Sequence, residues 1–177
     1  MYLQSHDGYF IQTGQITSKG IDVDITGNIT NALSVNANYA FCDAKVTKDN
    51  DSNVVGIKNI KIPDNICNLW SKYKLLGGNL KGAWFAIGYQ YMGKRNAVYA
   101  NWSPPKNIFM PVYNLLDAAI GYTGRGYNIS LNVYNVTNAK YMYEGYFLFW
   151  INEWSYIPGE PVNFKVSVEY KLFSKRK

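Results

Sequence analysis

Apolar and polar residues alternate along most of the chain with a period of two, as in strands whose two faces meet different surroundings. From Gly20, the residues Ile21, Val23, Ile25 and Ile29 alternate with Asp22, Asp24, Thr26 and Asn28. A second run sets Leu33, Val35, Ala37, Tyr39 and Phe41 against Ser34, Asn36, Asn38 and Cys42. A third sets Cys67, Leu69, Tyr73 and Leu75 against Asn68, Trp70, Lys72 and Lys74. The fourth opposes Ala83, Phe85, Ile87, Tyr89 and Tyr91 to Gly82, Trp84, Ala86, Gly88 and Gln90. In the fifth, the apolar set moves to even numbers: Val112, Leu116, Ala118, Ile120 and Tyr122. The sixth returns to odd numbers with Tyr127, Ile129, Leu131 and Val133, and the seventh is even again, with Phe164, Val166, Val168, Tyr170 and Leu172. Seven strands of roughly 10–12 residues follow, longer than the ~5–6 residues of a globular strand and close to the ~9–11 that cross a bilayer.

The connections and the aromatic residues sharpen this reading. Short turns at Asn31-Ala32, Gly77-Gly78-Asn79 and Gly124-Arg125-Gly126 alternate with long loops over residues 47–64, 93–111 and 136–162. Outer-membrane barrels alternate in this way, with short periplasmic turns and long extracellular loops. Tyr39, Phe41, Tyr89 and Tyr91 end the apolar faces of their strands beside long loops, and Tyr122 and Tyr127 flank a short turn. Rings at both edges of an apolar band form an aromatic girdle. The predicted fold is therefore an all-β, antiparallel transmembrane β-barrel segment of about seven long strands. One face meets lipid; the other, with Asn36, Asn38, Asn68, Lys72, Gln90, Asp117, Asn128 and Asn132, lines a hydrated lumen. An odd strand count does not close an ordinary bacterial barrel, so a partial barrel is expected. A small stand-alone outer-membrane barrel with a structural or adhesive role and a soluble β-sandwich binding module are the competing readings.

Composition changes this picture little. The 177 residues contain no apolar run of about 18, which excludes a transmembrane helix and leaves a barrel open. The net charge of +6 is spread over scattered lysines, with a cluster only in the basic tail, residues 174–177, so no nucleic-acid partner is expected. Two cysteines are too few for a disulfide scaffold; Cys42 is predicted to face the lumen and Cys67 the lipid. The opening residues have neither a basic n-region nor an apolar h-region, and an exported protein needs a signal peptide, so either the chain is a fragment of a longer protein or the barrel reading fails. Catalysis is not expected. His6 is the only histidine, no phosphate-binding glycine loop occurs, and neither a metal site nor a cofactor is called for. Asp49 and Asp51 form a loop pair with Asn50 and Asn53 that would hold a cation only weakly.

Several segments resemble siderophore-type TonB-dependent receptors. Gly14-Gln15-Ile16-Thr17-Ser18-Lys19-Gly20-Ile21-Asp22 is similar to that family's pattern of Gly, three variable residues, Ser, Arg or Lys, Gly, Ile or Val, and Glu or Asp. Tyr39-Ala40-Phe41-Cys42-Asp43-Ala44, Leu69-Trp70-Ser71-Lys72-Tyr73 after Pro63, and Gly88-Tyr89-Gln90-Tyr91-Met92-Gly93-Lys94-Arg95 follow in the family's order. So do Pro111-Val112-Tyr113 with Asp117, Asn132-Val133-Tyr134-Asn135-Val136-Thr137-Asn138-Ala139-Lys140-Tyr141, and Pro158-Gly159-Glu160-Pro161. The resemblance covers nearly the whole chain, residues 1–173, and only the C-terminal barrel portion of such a receptor. It implies a place in the outer membrane of a Gram-negative bacterium and TonB-powered uptake of ferric siderophores. The implied partners are the ferric siderophore, outer-membrane lipid, the barrel-assembly machinery, and the TonB complex through an N-terminal region absent here. Because such receptors line their ligand pocket with aromatic side chains, Trp70, Trp102, Trp150, Trp154 and Tyr156 are the candidate ligand contacts.

Overall fold

A computed structural model of the chain describes residues 2–6, 9–97, 107–148 and 151–172, with side chains from residue 14 onward. Two candidate ligand contacts, Trp102 and Trp150, and the basic tail lie outside the described residues. The strands are β1 (Tyr2–His6), β2 (Tyr9–Asn28), β3 (Leu33–Lys48), β4 (Asn65–Lys74), β5 (Ala83–Met92), β6 (Arg95–Asn96), β7 (Phe109–Met110), β8 (Tyr113–Thr123), β9 (Tyr127–Tyr134), β10 (Met142–Leu148), β11 (Glu153–Pro158) and β12 (Asn163–Tyr170). Eight form one antiparallel sheet in the order β1-β2-β3-β4-β5-β8-β9-β12. The other two pairs, β6-β7 and β10-β11, lie in the long loops. Among the described residues the outer edges of the sheet do not pair with one another, so the barrel is partial. The seven predicted strands are β2, β3, β4, β5, β8, β9 and β12.

The register joins the predicted apolar sets into one continuous face. Ile25 lies opposite Ala37 and Ala37 opposite Leu69; Leu69 pairs with Tyr89 and Tyr89 with Leu116. Farther along, Ile120 pairs with Leu131 and Leu131 with Val166. The shift to even numbers in β8 and β12 is thus what keeps the face continuous. These side chains have no protein layer over them: Ile25 is 59% exposed, Ile120 59% and Val168 70%. Such a patch is intolerable in water and ordinary against lipid. From Leu33 to Phe41 the chain covers about 27 Å of strand at ~3.4 Å per residue, enough for a tilted crossing of a ~25 Å apolar band.

Both girdles form. On the long-loop side, the Tyr39 hydroxyl donates to Asn65 Oδ1 at 2.7 Å and the Tyr89 hydroxyl to Asn114 Oδ1 at 2.8 Å. Each ring thus keeps its apolar body toward lipid and its polar tip satisfied. On the short-turn side, the Tyr73 and Phe85 centroids are 5.4 Å apart and those of Tyr122 and Tyr127 5.9 Å. The turns have the expected chemistry: Thr30 Oγ1 accepts from the N–H groups of Ala32 and Leu33, and Gly126 has φ 97°.

Two strands run beyond the predicted length. β2 spans 20 residues and β3 spans 16, because β3 continues past the girdle to Lys48. Ala44 and Val46 are buried there by the returning loop, whose Ile57 carbonyl accepts from the Val46 N–H. Asp49 and Asp51 accept from the backbone N–H groups of Asp51 and Asn53, so this pair shapes the short 3-10 turn at Ser52–Val54. Cys42 lies on the lumen face beside Ser18, and Cys67 lies opposite Tyr39 on the lipid face.

The lumen face carries two tryptophans packed over glycines. A Cβ on Gly88 would sit 2.5 Å from Trp70 Cε3, and one on Gly121 would sit 2.4 Å from Trp84 Cζ2. The Trp84 ring, buried with Ala86 and Ala119, also carries the Lys72 ammonium 3.7 Å from its centroid. Gly88→Ala or Gly121→Ala should therefore destabilise the wall by about 1–3 kcal/mol. Gly27→Ala, where a Cβ meets nothing within 4 Å, should be close to neutral. Urea titration of the three variants refolded in detergent would measure this; equal midpoints would disprove the packing role of the glycines.

Candidate functional site

The long loops gather at one end of the wall, and four sets of contacts tie them together. The first is Arg95, which is 6% exposed. Its Nη2 donates to the carbonyl oxygens of Met142 and Tyr143, both at 2.8 Å, and its guanidinium lies 5.3 Å from the centre of the Tyr113 ring. Burial pushes its pKa below the ordinary arginine value, yet a guanidinium stays charged at any working pH. Charge-assisted bonds to two carbonyls hold β10 over the ends of β5 and β8. Beneath them lies a cleft of about 240 Å³ lined by Arg95, Ile66, Met92, Met110, Tyr113 and Tyr143, among others.

Asn96 is the second clasp and is 1% exposed. Its Nδ2 donates to the Lys58 carbonyl at 2.9 Å, and its Oδ1 accepts from the Ile108 N–H at 2.8 Å, joining the first long loop to the second. The third is Asn135, 3% exposed and held at φ 50°, a left-handed conformation that asparagine tolerates better than most residues. Its Nδ2 donates to the carbonyls of Ala139 and Glu160, and its Oδ1 accepts from the Ala139 N–H. Its own N–H donates to Asp117 Oδ1 at 2.8 Å. Asn138, at φ 49°, accepts from the Val162 N–H, and Tyr141 lies across Gly159, where a Cβ would be 2.0 Å from its ring. The Asn135-Asn138-Tyr141 spacing thus closes the base of the last loop.

The fourth is an ion pair between Lys61 and Glu144, with the Tyr146 hydroxyl also donating to Glu144 at 3.0 Å. The Lys61 hydrogen bond lowers the Glu144 pKa, with a further lowering from Tyr146, and the Glu144 hydrogen bond raises that of Lys61.

The candidate ligand contacts separate in this geometry. Trp154 and Tyr156 share one face of β11, and Trp154 meets Phe147 of β10 edge to face at 5.3 Å. Glu144 and Tyr146 lie on the other face of the hairpin, toward Lys61. Tyr156 is 56% exposed. Trp70 stands apart in mid-wall, about 17 Å along β4 from its long-loop end at ~3.4 Å per residue. It packs against Gly88 with part of its ring open to the lumen beside Asn36. The clasps Arg95, Asn96 and Asn135 were not among the candidates, and only the motif positions of Arg95 and Asn135 could have drawn attention to them.

Removing the Asn135 side chain takes away three hydrogen bonds, those to the Ala139 N–H and to the Ala139 and Glu160 carbonyls, so Asn135→Ala should cost about 1–3 kcal/mol locally. It should speed hydrogen exchange at the Ala139 N–H and proteolysis within residues 136–162; unchanged protection would refute the clasp. The Lys61–Glu144 contact has a calculable pH window. Because the folded Glu144 pKa is lowered, its contribution is complete above the ordinary 4.5 and disappears as pH falls through the lower folded value. The raised Lys61 pKa keeps the contact through 10.5 and loses it only as pH rises past the folded value. Hairpin protection factors, taken relative to the intrinsic exchange rate at each pH, should therefore fall in acid at low salt. Glu144→Gln should remove that acid dependence, and its persistence in the variant would exclude this pair as the cause.

Comparison with known proteins agrees with this architecture. The family model described as "TonB dependent receptor-like, beta-barrel" matches residues 2–136. The metal-pseudopaline receptor CntO of Pseudomonas aeruginosa is 28% identical over 165 residues, covering 93% of this chain and 22% of that protein. The catecholate siderophore receptor Fiu of Escherichia coli is 30% identical over 166 residues, covering 91% and 20%. The crystal structure of Fiu in its closed form superposes with a TM-score of 0.73 at 25% identity, over 94% of this chain and 22% of that one. The ferric yersiniabactin uptake receptor FyuA of Yersinia pestis gives 0.75 at 13% identity, over 93% and 25%, a likeness of fold alone. The chain spans about a fifth of the length of the curated relatives it matches. With one unbroken lipid face, a polar lumen and clasped loops at one end, the chain belongs to the TonB-dependent receptor β-barrel family, transport receptors of the Gram-negative outer membrane.

Proposed function

We propose that these strands form part of the wall of a receptor that takes up a ferric siderophore, powered by the TonB complex. The observation that carries the reading is the joining of a lipid-facing wall to clasped, aromatic-rich loops at one end of its lumen. Two relatives bear names that refer to a metal-pseudopaline complex and to catecholate siderophores, both metal-chelate cargo. In this reading Trp154 and Tyr156 present ring faces to the cargo from a hairpin fixed by Arg95. Trp70 lines the passage farther in. Trp102 and Trp150 belong to the same two loops and complete the set. Aromatic rings suit large, rigid chelates because they supply contact area at little conformational cost.

A hybrid receptor tests the proposal. The matching strands of Fiu are replaced by this chain, and iron-limited growth on ferric catecholates and other ferric chelates is scored in cells with and without TonB. Uptake that depends on both the chelate and TonB is expected. A hybrid that inserts into the outer membrane but supports no uptake of any chelate would sink the reading. Within a working hybrid, Trp154→Ala should weaken apparent affinity by about 1–3 kcal/mol, roughly five- to 150-fold, if the ring is a contact hot spot. Uptake with unaltered affinity would remove Trp154 from the site.

A further inference from the structure

The charge of Arg95 has no counter-charge among the described residues. Its Nη2 serves the Met142 and Tyr143 carbonyls, while Nη1 is enclosed and meets no hydrogen-bond acceptor. The nearby carboxylates are engaged elsewhere: Glu144 by Lys61 and the Tyr146 hydroxyl, and Asp64 by Lys58. Two carbonyl dipoles and the face of the Tyr113 ring offset the guanidinium in part, but none of them carries a full negative charge. A cation buried to 6% exposure without a counter-ion is costly, and a charge-assisted donor without an acceptor adds to that cost.

Beside the guanidinium lies the cleft of about 240 Å³ beneath β10. It belongs to the lumen side of the wall, because Met92 lies opposite both Ile66 and Tyr113 in the register and alternates with the lipid-facing Tyr91. Its charged lining is Arg95, Lys61 and Glu144, so two cations face one carboxylate and one positive charge is left over. Ile66, Met92, Met110 and Pro63 supply the apolar part of the lining. The cleft is smaller than the ~300–1,000 Å³ of pockets that take drug-sized ligands.

We propose that this cleft binds a small organic carboxylate, free in the surrounding medium, as the counter-ion of Arg95. A carboxylate matches the planar fork of a guanidinium, and its single charge equals the surplus. Its short hydrocarbon tail lies against Ile66, Met92 and Met110, where the further oxygens of an inorganic phosphate would find no donors. The hairpin that roofs the cleft keeps a bulky chelate out, so the ligand is distinct from any cargo, and the site rests on the packing of the loops alone. A seated carboxylate adds a contact under the roof, so its occupancy holds the β10-β11 hairpin down on the strand ends.

The test uses the full chain folded in detergent micelles, at neutral pH and constant ionic strength. Isothermal titration calorimetry compares sodium butyrate with butyramide, which has the same shape and no charge, and with inorganic phosphate. Saturable binding of butyrate at one site per chain is expected, with weaker binding of phosphate and none of butyramide. Arg95→Gln should abolish it. Since that change also loosens the hairpin, Met92→Trp serves as a second variant: it fills the cleft from the wall, removes none of the Arg95 hydrogen bonds, and should abolish butyrate binding too. Proteolysis within residues 142–158 should slow about tenfold at ten times the dissociation constant, the factor by which a ligand of the closed form alone shifts an opening equilibrium. Equal heats from butyrate and butyramide would overturn the proposal, as would phosphate binding tighter than butyrate or undiminished butyrate binding by a folded Met92→Trp variant. Circular dichroism confirms the β content of each variant. Since no metal chelate enters the measurement, failed uptake in the hybrid receptor leaves this outcome independent.

Discussion

A peptide group in hydrocarbon finds no water to bond, and the rest of this structure follows from that constraint. Each strand between the girdles must pair on both sides or leave donors and acceptors stranded at several kcal/mol apiece. Pairing fixes register, and register fixes which side chains meet lipid. The wall therefore needs no packed hydrophobic core. Its apolar residues are among its most exposed, and the buried ones, such as Ala44, Val46 and Met110, lie largely where loops fold back above the bilayer.

Parity made the wall legible. Alternation over many residues is hard to produce by accident, and the change to even numbers in β8 and β12 has a meaning only if one face is continuous. Girdle positions were legible for the same reason, since a tyrosine at the end of an apolar run has a single sensible place in a bilayer. What alternation could not reveal were contacts across the sheet or between loops. Trp70 alternates with the lipid-facing residues of its strand, which places it on the lumen side; its partner Gly88 is a strand away, and nothing in the local sequence announces that the ring will lie on it.

The loops were the least legible part, for a related reason. In β10 aromatic residues occur on both faces, with Phe147 on one and Tyr146 on the other, and a register shift interrupts the strand at Tyr143, so it has no two-step hydrophobic rhythm. The hairpin is defined instead by side-chain to backbone bonds. Arg95 reaches carbonyls 47 and 48 residues away, and Asn135 reaches one 25 residues away. Such bonds depend on which loop happens to arrive beside which, information that resides in the assembled wall. The motif spacing around Asn132, Asn135 and Asn138 marked the place without disclosing that its work is mechanical.

The uninterrupted run of β3 from the girdle into the loop layer has an evolutionary consequence. One strand sets the side that Tyr39 and Phe41 show to lipid, the side that Ala44 and Val46 show to the returning loop, and the side on which Lys45 stands. Losing or gaining one residue anywhere between them would invert everything beyond that point. Length changes in this segment are therefore tolerable only in steps of two, or with a compensating bulge. The loop tip near Asp51 is under no such rule and is where insertions should accumulate as related chains diverge.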